Sequence, residues 1–253
     1  MHTLPGTTGR RRIYLMRHGH VDYLAPAVVA SGGFHAVPLT SRGRLEAQAA
    51  GRALSGVAVD RVICSGLPRT RETAQIVQSF LDPAPEFEVE SDLVEIRGGL
   101  PKLPLSNRQD LIAVMSFEFA RAAEEGATMM EGGEVFAAAQ ARSIGALERL
   151  LCRPDWRQIL IVAHEGINRL ILSWAAGTGL RATSAFEQDT GCINVLDFDM
   201  VPAEDDALEP KIERVLIKAV NLTPYNYLKH GMNLTSLEAI FDRDFADDLA
   251  PEG

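Results

Sequence analysis

Short β-branched runs alternate along the chain with segments whose apolar residues recur three or four positions apart. Ile13 to Met16, Arg61 to Cys64 and Ile159 to Ala163 read as strands, and each is followed by a helical pattern. After Thr40-Ser41 the spacing predicts a helix that turns Leu45, Ala49 and Ala53 to one face and stops near Gly56, where a left-handed C-terminal turn is tolerated. A second helix is expected to begin between Pro68 and Thr70, run through Ala74, Val77 and Leu81, and stop before Pro83. A third follows Gly166, with Ile167, Leu170, Ile171 and Trp174 turned inward. Alternation of this kind implies helices on both faces of a mostly parallel sheet, so the predicted fold is a three-layer α/β/α sandwich.

Two later strand-like runs, Cys192 to Phe198 and Glu213 to Ala219, are separated by an acidic, Pro-containing turn from Pro202 to Pro210. They are expected to form an antiparallel hairpin at one edge of the sheet, and an exposed edge near Cys192 to Phe198 could pair across a homodimer. Asn107 to Glu125 places Leu111, Val114, Met115, Glu118 and Ala122 at helical spacing, between the Pro-rich stretch Leu100 to Leu105 and Gly126. This segment predicts a helical cap inserted over the sheet at about residues 100–131, not a second domain. Residues 1–253 are therefore read as one domain with a C-terminal extension from about 221 to 253, without repeats or low-complexity tracts.

A length of 253 residues with 46% hydrophobic positions supplies a sizeable core. The net charge of −9 and a pI near 5.2 argue against nonspecific binding to nucleic acid or to an anionic membrane. An anionic ligand must then be caught by a local cluster of Arg. Cys64, Cys152 and Cys192 are far apart and odd in number, which suggests free thiols in a reducing cytoplasm, with no disulfide framework or CxxC metal knuckle. Arg10-Arg11-Arg12 leads into a strand-like run and no apolar signal core, and Ile159 to Ala163 is too short to span a bilayer, so a cytoplasmic location is expected.

In open parallel sheets, ligands bind outside the carboxyl ends of the strands. The first strand delivers Arg17 and His18 there, the second delivers Ser65 and, one turn on, Arg69, and the Ile159 to Ala163 strand delivers His164. A neutral imidazole can attack phosphorus and carry the phosphoryl group, while guanidinium groups neutralise the non-bridging oxygens. Two His and two Arg at equivalent strand ends are hard to explain as solvated surface. The segment HEGIN at 164–168 begins like the zinc motif HExxH, but Asn168 stands at the second ligand position. Gly98-Gly99 and Gly132-Gly133 lack the lysine and spacing of a nucleotide phosphate loop and read as turns. His20, His35 and His230 stand alone, although His20 is close enough in sequence to touch substrate.

With these blocks in order, the chain resembles the histidine phosphatase superfamily, the phosphoglycerate-mutase-like proteins, from Leu15 to about Phe198. The motifs are LMRHG, PLTSRGRLEAQAAG, CSGLPRTRETAQIV, LVEIRGG, GGE with the later Arg142, and VAHEGINRLIL. The resemblance implies that Arg17, Arg69, His18 and His164 form a phosphate pocket, that His18 is phosphorylated, and that Glu95 is the proton donor. Glu165 is a second, weaker candidate for the acid, and a bland alternative for Glu95 is a loop carboxylate paired with Arg97. His164, read as protonated, would join the two Arg in stabilising charge on the phosphoryl oxygens. No metal or other cofactor is implied.

The chain also departs from that pattern. His20 and Leu24 stand where many relatives have Glu or Gln and Asn, Gly32-Gly33-Phe34-His35-Ala36 lacks an Asp before the PLT, and Gly133-Glu134-Val135 replaces GES. Ile96-Arg97-Gly98-Gly99-Leu100 follows the acid, without the aromatic and basic residues by which mutases grip a carboxylate. The expectation is a histidine acid phosphatase-like phosphomonoesterase acting on a small phosphorylated substrate held by Arg17, Arg69, His164 and His20. A cofactor-dependent phosphoglycerate-type mutase and a noncatalytic phospho-ligand-binding module remain open. The cap and the tail around Tyr225 to His230 could cover the pocket.

Overall fold

The computed structural model describes residues 9–23, 25, 28, 34–99, 108–201 and 211–241. The expected features at Leu24, Gly32-Gly33, Leu100 to Leu105 and the turn from 202 to 210 lie outside them. In chain order the strands are β1 (Gly9–Arg17), β2 (Arg61–Cys64), β3 (Glu86–Val89), β4 (Gln158–Ala163), β5 (Ile193–Val201) and β6 (Lys211–Leu222). The helices are α1 (Ser41–Leu54), α2 (Pro68–Gln78), α3 (Arg108–Ala120), α4 (Phe136–Cys152), α5 (Glu165–Ala175) and α6 (Ser236–Phe241).

The six strands form one sheet in the order β3-β2-β4-β1-β5-β6. The first four are mutually parallel, whereas β5 runs antiparallel to β1 and β6 antiparallel to β5. Successive side chains of a strand point to opposite faces, and here both faces are covered. Ile13 and Leu15 join Ile63, Ile159 and Ile161 in the core under α4 and α5, while Tyr14 and Met16 join Val62, Leu160 and Val162 in the core under α1 and α2. Burial of each such aliphatic side chain contributes about 1.5–3 kcal/mol.

Several local expectations are corrected by this packing. β5 lies between β1 and β6, so Cys192 to Phe198 is interior and β6 is the edge strand. β1 extends back to Gly9 because its Arg residues have cross-strand partners: Arg12 pairs with Asp197 at 2.7 Å and Arg10 with Asp199 at 2.9 Å. On α1 the buried face is Gly43, Glu46, Ala47, Ala50, Gly51 and Leu54, and Leu45 is exposed. That face is selected by close approach. A Cβ on Gly43 would lie 2.2 Å from the His20 carbonyl oxygen, and one on Gly19 would lie 2.3 Å from that of Gly43.

α1 is capped at its start by Thr40, whose hydroxyl accepts from the Gly43 amide, and at its end by Ser55 in a right-handed conformation, so Gly56 makes no left-handed turn. α2 starts at Pro68, a favourable first helical position, and ends at Gln78, leaving buried Leu81 beyond it. α3 ends at Ala120, earlier than its periodicity suggests, with Phe119 and Ala122 buried. Trp174 is half-buried and stacks on Phe198 with ring centroids 6.3 Å apart. β3, α4 and α6 were not evident from the pattern of the sequence.

Candidate active site

Sheet register brings the candidate residues to one end. Arg17 lies opposite Ala163 in the parallel β1–β4 pair, and the His18 amide donates to the Ala163 carbonyl at 3.1 Å, so Arg17-His18 and His164 leave the sheet side by side. β2 pairs Cys64 with Val162, which delivers Ser65 to the same level. The first turn of α2 then returns Arg69, itself buried, to the two imidazoles. Its Nε lies 3.2 Å from His18 Nε2 and its Nη2 lies 3.3 Å from His164 Nδ1. The two rings are 5.3 Å apart at 66°.

These contacts assign the protons. Guanidinium only donates, so the nitrogens facing Arg69 must accept. His18 Nδ1–H therefore donates to the Gly19 carbonyl at 2.7 Å, and His164 Nε2–H donates to Ser65 Oγ at 2.7 Å. Burial, reinforced by Arg69 and Arg17, pushes His18 well below the usual imidazole range, and burial with Arg69 does the same to His164. His164 is thus neutral here, contrary to the expectation of a protonated ring, because desolvation and two guanidinium groups oppose a third positive charge.

Arg17 is held from behind. Its Nη1 donates to the Gln188 carbonyl at 2.5 Å and its Nη2 pairs with Glu165 Oε2 at 3.0 Å. Its buried Nε has no hydrogen-bond partner among the described residues, a cost that an anion's oxygen would relieve. Glu165 is occupied by Arg17 and by Arg169 at 2.9 Å.

Glu95 is half-buried and is not paired with Arg97. Its carboxylate accepts from the amides of Ile96 at 2.9 Å, Gly166 at 3.2 Å and Ile167 at 3.3 Å, the last two at the start of α5. Loss of hydration raises its pKa, while the amides and Arg69 pull the other way and leave the net shift upward. Gly166 makes the approach possible, since a Cβ there would meet Glu95 Oε1 at 2.7 Å. The backbone carrying Glu95 is clamped by Arg142, whose Nη1 donates to the carbonyls of Asp92 at 2.6 Å and Val94 at 2.8 Å. Glu134 orients that guanidinium through Nε at 2.7 Å and also accepts the Arg97 amide at 3.1 Å. The two glycine pairs read as turns meet here, with the Gly99 amide donating to the Met129 carbonyl at 2.8 Å.

His20 is not part of this cluster. Its ring faces Thr40 Oγ1 at 2.9 Å, its amide donates to Glu46 Oε2 at 2.8 Å, and burial followed by Arg42 and Arg17 lowers its pKa to about 4. It lines a cleft with Arg42, Thr190, Tyr225 and Ile240. Sequence reasoning missed the parts of Ser65 on His164 and of Tyr23, whose ring lies 5.8 Å from the Arg69 guanidinium carbon. The signal for Ser65 was its place at the end of β2; nothing local marked Tyr23.

No group of three or more His, Cys, Asp or Glu side chains among the described residues is placed to hold a metal ion, and no helix among them is long and apolar enough to cross a membrane. The chain is 28% identical over 189 residues to the adenosylcobalamin/alpha-ribazole phosphatase of Escherichia coli strain K12, covering 74% of this chain and 90% of that one. The alpha-ribazole phosphatase structure from Shigella flexneri superposes with a TM-score of 0.58 at 23% identity, covering 83% of this chain and 96% of the other. A mycobacterial glucosyl-3-phosphoglycerate phosphatase, solved with VO3, gives 0.62 at 20% identity and covers 83% and 99%. The latter two share the fold. The sequence profile of the histidine phosphatase superfamily (branch 1) matches residues 13–201, and the chain belongs to that superfamily.

Proposed function

We propose that the protein hydrolyses phosphomonoesters through a phosphohistidine formed on His18. The single observation that carries this reading is the His18 ring: one nitrogen is bonded to the Gly19 carbonyl at 2.7 Å, and the other, unprotonated, faces Arg69 at 3.2 Å. Nε2 attacks phosphorus as the ester oxygen leaves, and that oxygen takes a proton from Glu95. Water, deprotonated by the same carboxylate, then attacks phosphorus and releases phosphate from Nε2. Arg17 and Arg69 stabilise charge on the phosphoryl oxygens, and His164 gains a proton more readily once a phosphate dianion offsets the two guanidinium groups. The raised pKa of Glu95 suits a group that must hold a proton when substrate binds.

Hydrolysis is favoured over transfer to a second hydroxyl because residues 96–99, which follow Glu95, are turned toward Glu134 and Met129 through their backbone and carry a single basic side chain, Arg97. The substrate is proposed to be a small phosphomonoester, and the named substrates of the curated relatives, alpha-ribazole phosphate first, are the ones to try. The test is turnover of p-nitrophenyl phosphate and a phosphomonoester panel in EDTA, with quenching in alkaline detergent to trap the intermediate. Turnover in EDTA with an acid-labile phosphoenzyme that disappears in His18→Ala is expected. Undiminished turnover by His18→Ala would sink the mechanism, and tight ester binding without turnover would turn the reading toward a binding module.

A further inference from the structure

Ser236 lies outside the segment that matches the family, yet its hydroxyl is buried against the back of the phosphate pocket. Its Oγ–H donates to Glu165 Oε1 at 2.6 Å, and Ser236 Oγ itself accepts from Arg169 Nη2 at 3.0 Å. Glu165 uses its other oxygen to hold Arg17 Nη2 at 3.0 Å. The main chain is fastened as well, since the Ser236 amide donates to Glu187 Oε2 at 2.8 Å while Glu187 Oε1 pairs with Arg169 at 3.1 Å. Arg169 also lies 5.1 Å from the ring of Phe119 on α3, so the cap helix and the C-terminal segment converge on it.

We propose that Ser236, acting through Glu165, is a positioning residue for Arg17, so that the C-terminal segment completes the phosphate clamp of this chain. The physical reason is the number of donors on one carboxylate. Glu165 has to satisfy two buried guanidinium groups at once, with Oε1 held by Arg169 Nη2 at 2.9 Å and Nε at 3.2 Å. Loss of the Ser236 donor would leave that oxygen to Arg169 alone, letting the carboxylate follow Arg169 and the Arg17 plane tilt. The Ser236 hydroxyl fixes the oxygen shared with Arg169, and the remaining oxygen is thereby aimed at Arg17. A tilt of that plane would misdirect the buried Nε, which has no hydrogen-bond partner among the described residues.

This inference rests on Arg17 being a phosphate ligand, and its test reads binding, not turnover. Affinity of the full-length protein for inorganic phosphate is measured by calorimetry, together with the KM and kcat split on p-nitrophenyl phosphate. Ser236→Ala should weaken phosphate binding about three- to ten-fold and raise KM by a similar factor with kcat changed less than about two-fold. Ser236→Thr, which keeps the hydroxyl, should restore both. In an Arg17→Lys background the Ser236→Ala substitution should add less than about two-fold, because the two act through one contact. Glu187→Gln, which loosens the main-chain anchor, should weaken phosphate binding in the same direction and serves if Ser236→Ala does not fold. Unchanged affinity in Ser236→Ala, or a loss that persists in full in the Arg17→Lys background, would overturn the proposal. Phosphate binding that obeys these expectations in a protein without a phosphoenzyme would leave it standing while removing the catalytic reading.

Discussion

Ser65 Oγ lies 2.7 Å from His164 Nε2, and with Arg69 on the opposite nitrogen it leaves that imidazole a single tautomer. Ser65 is in turn 3.0 Å from Thr70 Oγ1, so β2 and α2 together orient a ring delivered by β4. Ser65→Ala should free the ring to rotate and leave a buried N–H unpaired. A fall of about ten-fold in kcat/KM, with a loss of roughly 1–2 kcal/mol in stability, is expected in kinetics and urea unfolding.

Arg69 spans both imidazoles, and lysine cannot reproduce that span because its ammonium is a single point. Arg69→Lys should lower kcat/KM by about 10- to 100-fold, while the fold is retained because Thr70, Thr73, Ala74 and Val77 still bury α2. Steady-state kinetics beside a thermal melt checks this, and a near-normal rate would show that one positive charge is enough.

The pH response of activity follows from Glu95 and His18. The pKa of His18 is depressed, so the proposed nucleophile stays neutral on the acid side, whereas the raised pKa of Glu95, the proposed acid, means that its proton is lost as pH rises. The rate for alkyl esters should therefore fall along a basic limb, and Glu95→Gln should abolish that limb. The same variant should slow alkyl esters far more than p-nitrophenyl phosphate, whose leaving group needs little protonation.

Stability should respond to acid in the sense set by the buried histidines. Burial depresses the pKa of His18, His164 and His20 in the folded state, so the unfolded chain binds more protons below pH about 6.5. Their stabilising contribution is complete above that pH and declines as pH falls, for His20 between 6.5 and about 4. His20→Gln should flatten the fall in Tm over that window, by an amount equivalent to at most about 3 kcal/mol. A Tm that does not fall between pH 7 and 4 would contradict the burial of these rings in the unprotonated form.

Close packing gives a steric prediction that separates fold from chemistry. In Gly19→Ala the new Cβ would meet the Gly43 carbonyl, a backbone atom that cannot yield cheaply, and a loss of about 1–3 kcal/mol is expected in denaturant unfolding. In Gly166→Ala the nearest obstacles, both at 2.7 Å, are the carboxylate of Glu95 and the tip of the Ile96 side chain, which can move. That variant should stay folded and lose rate, most of all on alkyl esters.

The sequence by itself determined the layered sheet and the clustering of four residues at one end of it, because both are written in local signals. Alternation of period two in β1, β2 and β4 sets which side chains face each layer, and the residues just past those strands must emerge at one end once the strands are parallel. Arg17, His18, Arg69 and His164 were legible for that reason, and Glu95 through its motif. What only the tertiary structure decided rests on contacts between distant parts of the chain. The buried face of α1 is chosen by the approach of Gly43 to His20, not by the size of Leu45; β3 is short and only partly buried, so its pattern is weak. The neutral state of His164, the diversion of His20 to Thr40, and the hold of Ser236 on Glu165 across 71 residues each depend on a neighbour that local spacing cannot identify. Burial and charge at a site are properties of everything packed around it, and those are settled only when the chain has closed.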